Sequence, residues 1–198
     1  MNKTSIFSGD PDLQNLVRQL PQPDWISTNQ VFHDLISCVV EQQIHYRSTK
    51  RIFAKALERA GIVELTLDNF HLFEQFGLSS INISEAKQQT LLAVIAYFKN
   101  HSTDFSQLSN EAVRHELSGI KGIGNWTIDM ILMYTLKRPD IVPYDDFHLK
   151  QVMVGVYGLN PDSKLKVQMK AVADHWGSEK TLAVLYLLAW KQHKKQIA

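Results

Sequence analysis

Two adjacent carboxylates stand in the run Pro143-Tyr144-Asp145-Asp146-Phe147-His148, directly before a stretch with Leu149, Val152, Met153 and Val156 at helical spacing. The pattern puts Asp146 at the N-cap of that helix. A carboxylate there is held by backbone amides and by the positive end of the helix dipole, both of which favour its ionised form. Such a fixed charge can stabilise positive charge developing on a reacting group, and can orient or deprotonate a water. Aspartates before a helix are more often plain caps, so the pair alone assigns no chemistry.

A second constellation precedes it. From Val113 the chain reads VRHELSGIKGIGNWTIDMILMYTLK, with Val113, Leu117 and Ile120 on one helical face and Ile128, Ile131 and Leu132 on another. Between them lies Gly119-Ile120-Lys121-Gly122-Ile123-Gly124. Glycines in a short turn between two helices let the N–H groups opening the second helix point outward without Cβ obstruction, which makes an anion site. A nucleic-acid phosphate fits such a site without any base being read. A simple αα-hairpin with a glycine cap is the alternative reading.

The elements that must position these groups are helical. Helical periodicity runs through nearly the whole sequence, with no convincing alternation of apolar and polar residues and no repeat, so the fold is read as all-α. Asp10-Pro11 predicts a capped helix with Leu13, Leu16, Val17 and Leu20 on its apolar face. A helix from about Asn29 should bury Phe32, Leu35, Ile36 and Val39, and one from about Ser48 should bury Ile52, Phe53, Ala56 and Leu57 before Gly61. Asp68 is expected to cap a short helix through Phe76. Ser84 and Glu85 should open a longer one that uses Leu91, Leu92, Ile95 and Phe98, and Ser109 or Asn110 starts the next.

Composition narrows the class. The 198 residues, 44% of them hydrophobic, can bury a full core. One cysteine, Cys38, excludes an intrachain disulfide and a cysteine-ligated cluster, and the scattered histidines show no zinc spacing. No secretory leader or membrane-length apolar run is present, so the chain reads as soluble and intracellular, cytoplasmic in a bacterium or nuclear in a eukaryote. A net charge of +1 does not by itself suggest nucleic acid. Residues 111–198 carry 12 Lys+Arg against 9 Asp+Glu, with basic clusters at Lys164, Lys166 and Lys170 and at Lys191, Lys194 and Lys195, which ordinary solvated helix faces would also explain.

Taken together, Gly122-Ile123-Gly124-Asn125-Trp126-Thr127 followed by Tyr144-Asp145-Asp146-Phe147-His148 resembles the helix-hairpin-helix DNA glycosylase superfamily. Val39-Val40-Glu41-Gln42-Gln43-Ile44 also resembles that family's Gln-Gln joint, so the likeness runs from about Asn29 to the last helix. It implies an all-α fold of two helical lobes with an active-site cleft between them, forming a single domain over 1–198 with the hairpin motif at about 110–137. Trp126 stands where bifunctional relatives carry a catalytic lysine, and the iron–sulfur cysteines of other relatives are missing. The chain therefore looks like the compact form of the alkylpurine branch, the 3-methyladenine DNA glycosylase II type.

That resemblance assigns roles residue by residue. Asp146 becomes the catalytic carboxylate, with Trp126, Met130 and Phe147 as walls of the base pocket, although Trp126 and Met130 at helical spacing would equally suit a core. Gln42, Gln43, His45, Lys121, Gly122, Gly124 and Thr127 become DNA-binding residues, Gln43 or His45 filling the gap left by the extruded nucleotide. Backbone carbonyls of Ser118, Ile120 and Ile123 are candidate ligands for a structural Na+ or K+, and no cofactor is required. Leu188 falls where relatives place an aromatic residue, with Trp190 two positions on. The implied protein is a monomer acting on damaged double-stranded DNA, hydrolysing the N-glycosidic bond of 3-methyladenine or 7-methylguanine with no lyase step. Competing readings are a glycosylase for another lesion, a non-catalytic hairpin module that binds DNA, and an unrelated helical interaction protein.

Overall fold

The computed structural model describes residues 7–25, 27–41 and 50–197, and helix is the regular structure throughout them. Chain contacts divide it into two compact units. One is Ser27–Leu136, and the other is built from the two ends, Met1–Ile26 with Lys137–Ala198.

In the end-built unit, α1 (Pro11–Gln19) is joined by α8 (Phe147–Tyr157), α9 (Leu165–Ala173) and α10 (Lys180–Ile197). Helix α10 packs on both α8 and α1, through an apolar stripe that includes the fully buried Val184 and Leu187. As the sequence predicts, Asp10 caps α1, its Oδ1 accepting the Leu13 N–H at 2.9 Å. Its second oxygen has a role the sequence did not reveal. Oδ2 accepts the Tyr157 hydroxyl and the indole N–H of Trp176, each at 2.8 Å.

One buried carboxylate thus ties the start of α1 to the end of α8 and to the turn after α9. Asp10→Ala should strand the Trp176 N–H, which belongs to a side chain only 1% exposed, and cost about 3 kcal/mol or more. Thermal melts should show Tm falling by roughly 6–12 °C; a change under 2 °C would mean the network carries little. Burial, and then the Asp10 charge, hold the Tyr157 phenol well above the ordinary tyrosine range. Its contribution to stability is therefore complete below about pH 10 and drains away as pH rises beyond that.

The other unit surrounds α2 (Val31–Glu41), which packs against α3 (Lys50–Arg59), α5 (Glu85–Asn100) and the hairpin's second helix, α7 (Asn125–Met130). Phe32, Leu35, Ile36 and Val39 are buried as expected. Between α3 and α5 the chain makes α4 (Phe70–Leu72), which widens into a π turn, Phe73–Gly77, and tightens into a 3-10 turn, Leu78–Ser80. Phe32, Phe70 and Phe73 pack there with ring centroids about 6 Å apart. The hairpin's first helix is α6 (Asn110–Ser118), which packs on α7.

Several expectations for this unit need correction. Asp68 does not cap α4; Asn69 occupies that position without a side-chain cap, because its Oδ1 takes the Thr66 N–H and its amide donates to the Glu64 carbonyl. Leu92 is 57% exposed, since the buried stripe of α5 runs through Leu91, Val94 and Ile95 and leaves Leu92 on the outer side. Phe98 and Ile52 are half-buried, as are Leu20 and Val156 in the end-built unit.

Candidate active site

The hairpin forms where the sequence places it. Ser109 caps α6 through the Ala112 N–H at 3.2 Å, and Gly124 occupies the N-cap of α7 with no side-chain cap on that helix. In the turn, Ile120 N–H donates to the Leu117 carbonyl and Ile123 N–H to the Ile120 carbonyl. Ile120 and Ile123 are buried, which presses the turn onto the unit's core and leaves Lys121, Gly122 and Gly124 exposed. Gly122 has a φ of +89°, and a Cβ built there would lie 2.0 Å from Thr90 Oγ1 of α5. Left-handed backbone and close approach both demand glycine at this position.

An ion pair closes the hairpin from behind. Arg114 of α6 meets Asp129 of α7 at 2.5 Å, with the aspartate 8% exposed. Of the residues expected to contact a base or the backbone, Trp126 is half-buried, whereas Met130 (3% exposed) and Thr127 (2%) are enclosed. Helix α7 then widens into a π turn, Ile131–Thr135, whose end is tied down when the Thr135 hydroxyl donates to Asp34 Oδ2 at 2.6 Å. Gln42, Gln43 and His45 lie outside the described residues.

In the other unit, the loop leading to Asp146 is pinned by Thr181, a fully buried residue on α10. Its hydroxyl donates to the Arg138 carbonyl at 2.6 Å and accepts the Ile141 N–H at 3.0 Å, while its own N–H donates to the Pro139 carbonyl. No pattern in the sequence marked this residue. The loop turns through Asp146 N–H donating to the Pro143 carbonyl, and Asp146 then caps α8, its Oδ1 accepting the Leu149 N–H at 2.7 Å. Asp146 is 7% exposed.

The two neighbouring carboxylates have opposite surroundings. Asp145 is 42% exposed at its side chain, with Lys166 Nζ 3.2 Å from both oxygens and Lys150 Nζ at 4.0 Å. Its charge is compensated by lysines, whereas that of Asp146 is held by a helix start. Phe147 is 63% exposed beneath Lys191, whose Nζ lies 5.6 Å from the ring centroid. Leu188 is half-buried on α10, and so is Trp190, which carries Lys194 over its ring at 5.4 Å.

A helix-glycine turn-helix hairpin and an aspartate capping a later helix, within an all-helical chain of two units, define the fold of the helix-hairpin-helix DNA glycosylases. No family model matches the chain. Its similarities to individual proteins agree with the fold: DNA-3-methyladenine glycosylase 1 of Schizosaccharomyces pombe is 28% identical over 169 residues, covering 82% of this chain and 72% of that protein. The structure of S. pombe 3-methyladenine DNA glycosylase (Mag1) in complex with abasic DNA superposes with a TM-score of 0.74 at 23% identity, over 98% of this chain and 97% of that one. An 8-oxoguanine glycosylase/lyase of Clostridium acetobutylicum in complex with double-stranded DNA reaches 0.77 at 19% identity, over 97% of this chain and 69% of that one. The chain therefore shares the fold of these DNA glycosylases.

Proposed function

We propose that this chain is a monofunctional DNA glycosylase that flips alkylated purines out of double-stranded DNA and hydrolyses their N-glycosidic bond. The observation that carries the proposal is Asp146: a buried carboxylate held at the head of α8 by the Leu149 N–H, in a chain that also builds the glycine hairpin. Departure of a purine leaves an oxocarbenium-like sugar, and a negative charge already in place stabilises it without reorganisation. Asp146 also orients or deprotonates the water that attacks the sugar. Flipping costs a few kcal/mol, less for a damaged pair, and Gln43 or His45 offsets it by filling the vacated stack.

The phosphate of the DNA backbone meets the turn at Lys121, Gly122 and Gly124, where exposure and the uncapped start of α7 support sequence-independent contact. A structural Na+ or K+ belongs to the same proposal, held by the carbonyls of Ser118, Ile120 and Ile123; hard oxygen donors suit such an ion, and the Ile120 carbonyl keeps a second lone pair beyond its bond to Ile123. The same proposal assigns contact with the base to the half-buried Trp126 of α7 and, in its own unit, to the exposed Phe147 of α8, with Met130, on the same helix as Trp126, enclosed in the core. Among the described residues, no helix is long and apolar enough to cross a membrane.

Alkylpurines with positive charge are favoured as substrates because they leave without a proton donor, and an aromatic wall attracts a cationic ring. Because a glycosylase/lyase for 8-oxoguanine shares the fold, chemistry and not architecture must settle the lesion. Single-turnover assays on matched duplexes should release 3-methyladenine and 7-methylguanine fastest. With Trp126 in place of a lysine, the product should be an intact abasic strand, and borohydride should trap no protein–DNA adduct. Faster release of uracil or 8-oxoguanine would overturn the substrate class, and a trapped adduct would overturn monofunctionality.

A further inference from the structure

The Asp146 cap is only as firm as the first turn of α8 beneath it. Leu149 anchors that turn on the inside, with its side chain fully buried. On the outside a side chain from another helix grips it. Lys191 of α10 places its Nζ 2.6 Å from His148 Nδ1 and 2.5 Å from Gln151 Oε1, and lies 5.6 Å from the centre of the Phe147 ring. Three residues of the first turn and a half are held from one point.

We propose that Lys191 is a positioning residue for Asp146, clamping the first turn of α8 through a hydrogen bond that requires His148 to keep its proton on Nε2. The inference rests on the glycosylase reading for its kinetic consequence alone. An ammonium has donors and no acceptor, so a bond from Lys191 to His148 Nδ1 needs a lone pair there. That selects one tautomer of the neutral imidazole, while another of the three ammonium donors serves Gln151 Oε1. The opening turn of a helix lacks intrahelical partners for its first N–H groups and is where fraying begins. A clamp from α10 keeps the Leu149 N–H aimed at Asp146 Oδ1, and so keeps the carboxylate's other oxygen in one place. Catalytic groups displaced by about 1 Å lose on the order of a hundredfold in rate, so even partial fraying would be felt.

The test uses the full chain labelled with 15N in its histidines and backbone. Long-range proton–nitrogen spectra, assigned with His148→Asn, should show the His148 proton on Nε2 in the wild type and a loss of that preference in Lys191→Met. Amide exchange at Leu149 should accelerate about tenfold in Lys191→Met and in His148→Asn, while the Leu35 amide in the other unit exchanges as before. Single-turnover release of 7-methylguanine by Lys191→Met should fall about tenfold, with affinity for an abasic-site duplex within twofold of the wild type. A wild-type proton on Nδ1, or Leu149 exchange unchanged in both variants, overturns the clamp. Exchange that accelerates equally at Leu35 and Leu149 reduces Lys191 to general stability and overturns positioning. If the wild type releases no alkylpurine at all, the alkylpurine reading fails, while tautomer and exchange still decide whether the clamp exists.

Discussion

Asp146→Asn is expected to abolish excision while leaving the fold and the binding of an abasic-site duplex in place. The cap survives because an asparagine oxygen accepts the Leu149 N–H as well as a carboxylate does, and Asn ranks with Asp at N-caps. What disappears is the charge proposed to meet the cationic sugar. A preorganised group of this kind is worth about a hundredfold or more in rate, and its loss should appear in the single-turnover rate and not in binding. Asp145→Asn should have a much smaller effect, because that carboxylate is half in solvent and already compensated by Lys166 and Lys150. Measuring both variants on a 7-methylguanine duplex decides the matter: near-normal turnover by Asp146→Asn, or a larger loss in Asp145→Asn, would move the catalytic role elsewhere.

Gly122→Ala is the second change expected to have a large effect, and it acts through DNA affinity. The new Cβ would lie 2.0 Å from Thr90 Oγ1 and 2.8 Å from its Cγ2, with the backbone in a left-handed conformation that costs a non-glycine residue about 1–2 kcal/mol. Thr90 cannot simply swing aside. It is 7% exposed, and its hydroxyl is bonded to the Ala86 carbonyl on its own helix. The turn must lift off α5, displacing the backbone proposed to meet phosphate, and affinity for an abasic-site duplex at fixed salt should fall at least about tenfold. A second substitution, Thr90→Ala, removes the two closest atoms and should restore part of the loss. Absence of that coupling in a double-mutant cycle would show that the approach of α5 to the turn is not what glycine protects.

Much of the architecture was legible because its signals are local. Asp10, Ser84, Ser109 and Asp146 all cap through a side chain bonded to an N–H three residues on, an interaction that depends on spacing along the chain alone. The apolar stripes of α1, α2 and α6 were readable for the same reason, as was the glycine hairpin. Reading failed at α4: the cap expected from Asp68 is not made, because Asn69 takes the N-cap position and spends its side chain on Thr66 and Glu64. Leu92 carries the right residue type at a helical spacing, yet the side of α5 that faces α2 was chosen by packing with a different helix.

By itself, then, the sequence determined that the chain is helical, where the hairpin turns, and that Asp146 opens a helix. Only the tertiary structure decided which of the adjacent aspartates stays a buried charge and which is neutralised by lysines of α8 and α9. Tertiary contacts also decided that Gly122 must lack a side chain because Thr90 lies against it, that Thr181 pins the loop before Asp146, and that Lys191 grips the turn after it. The physical reason is range. A cap or an amphipathic stripe is written within a few residues by backbone geometry, whereas the dielectric surroundings and close approaches that set a side chain's chemistry come from residues brought next to it by folding.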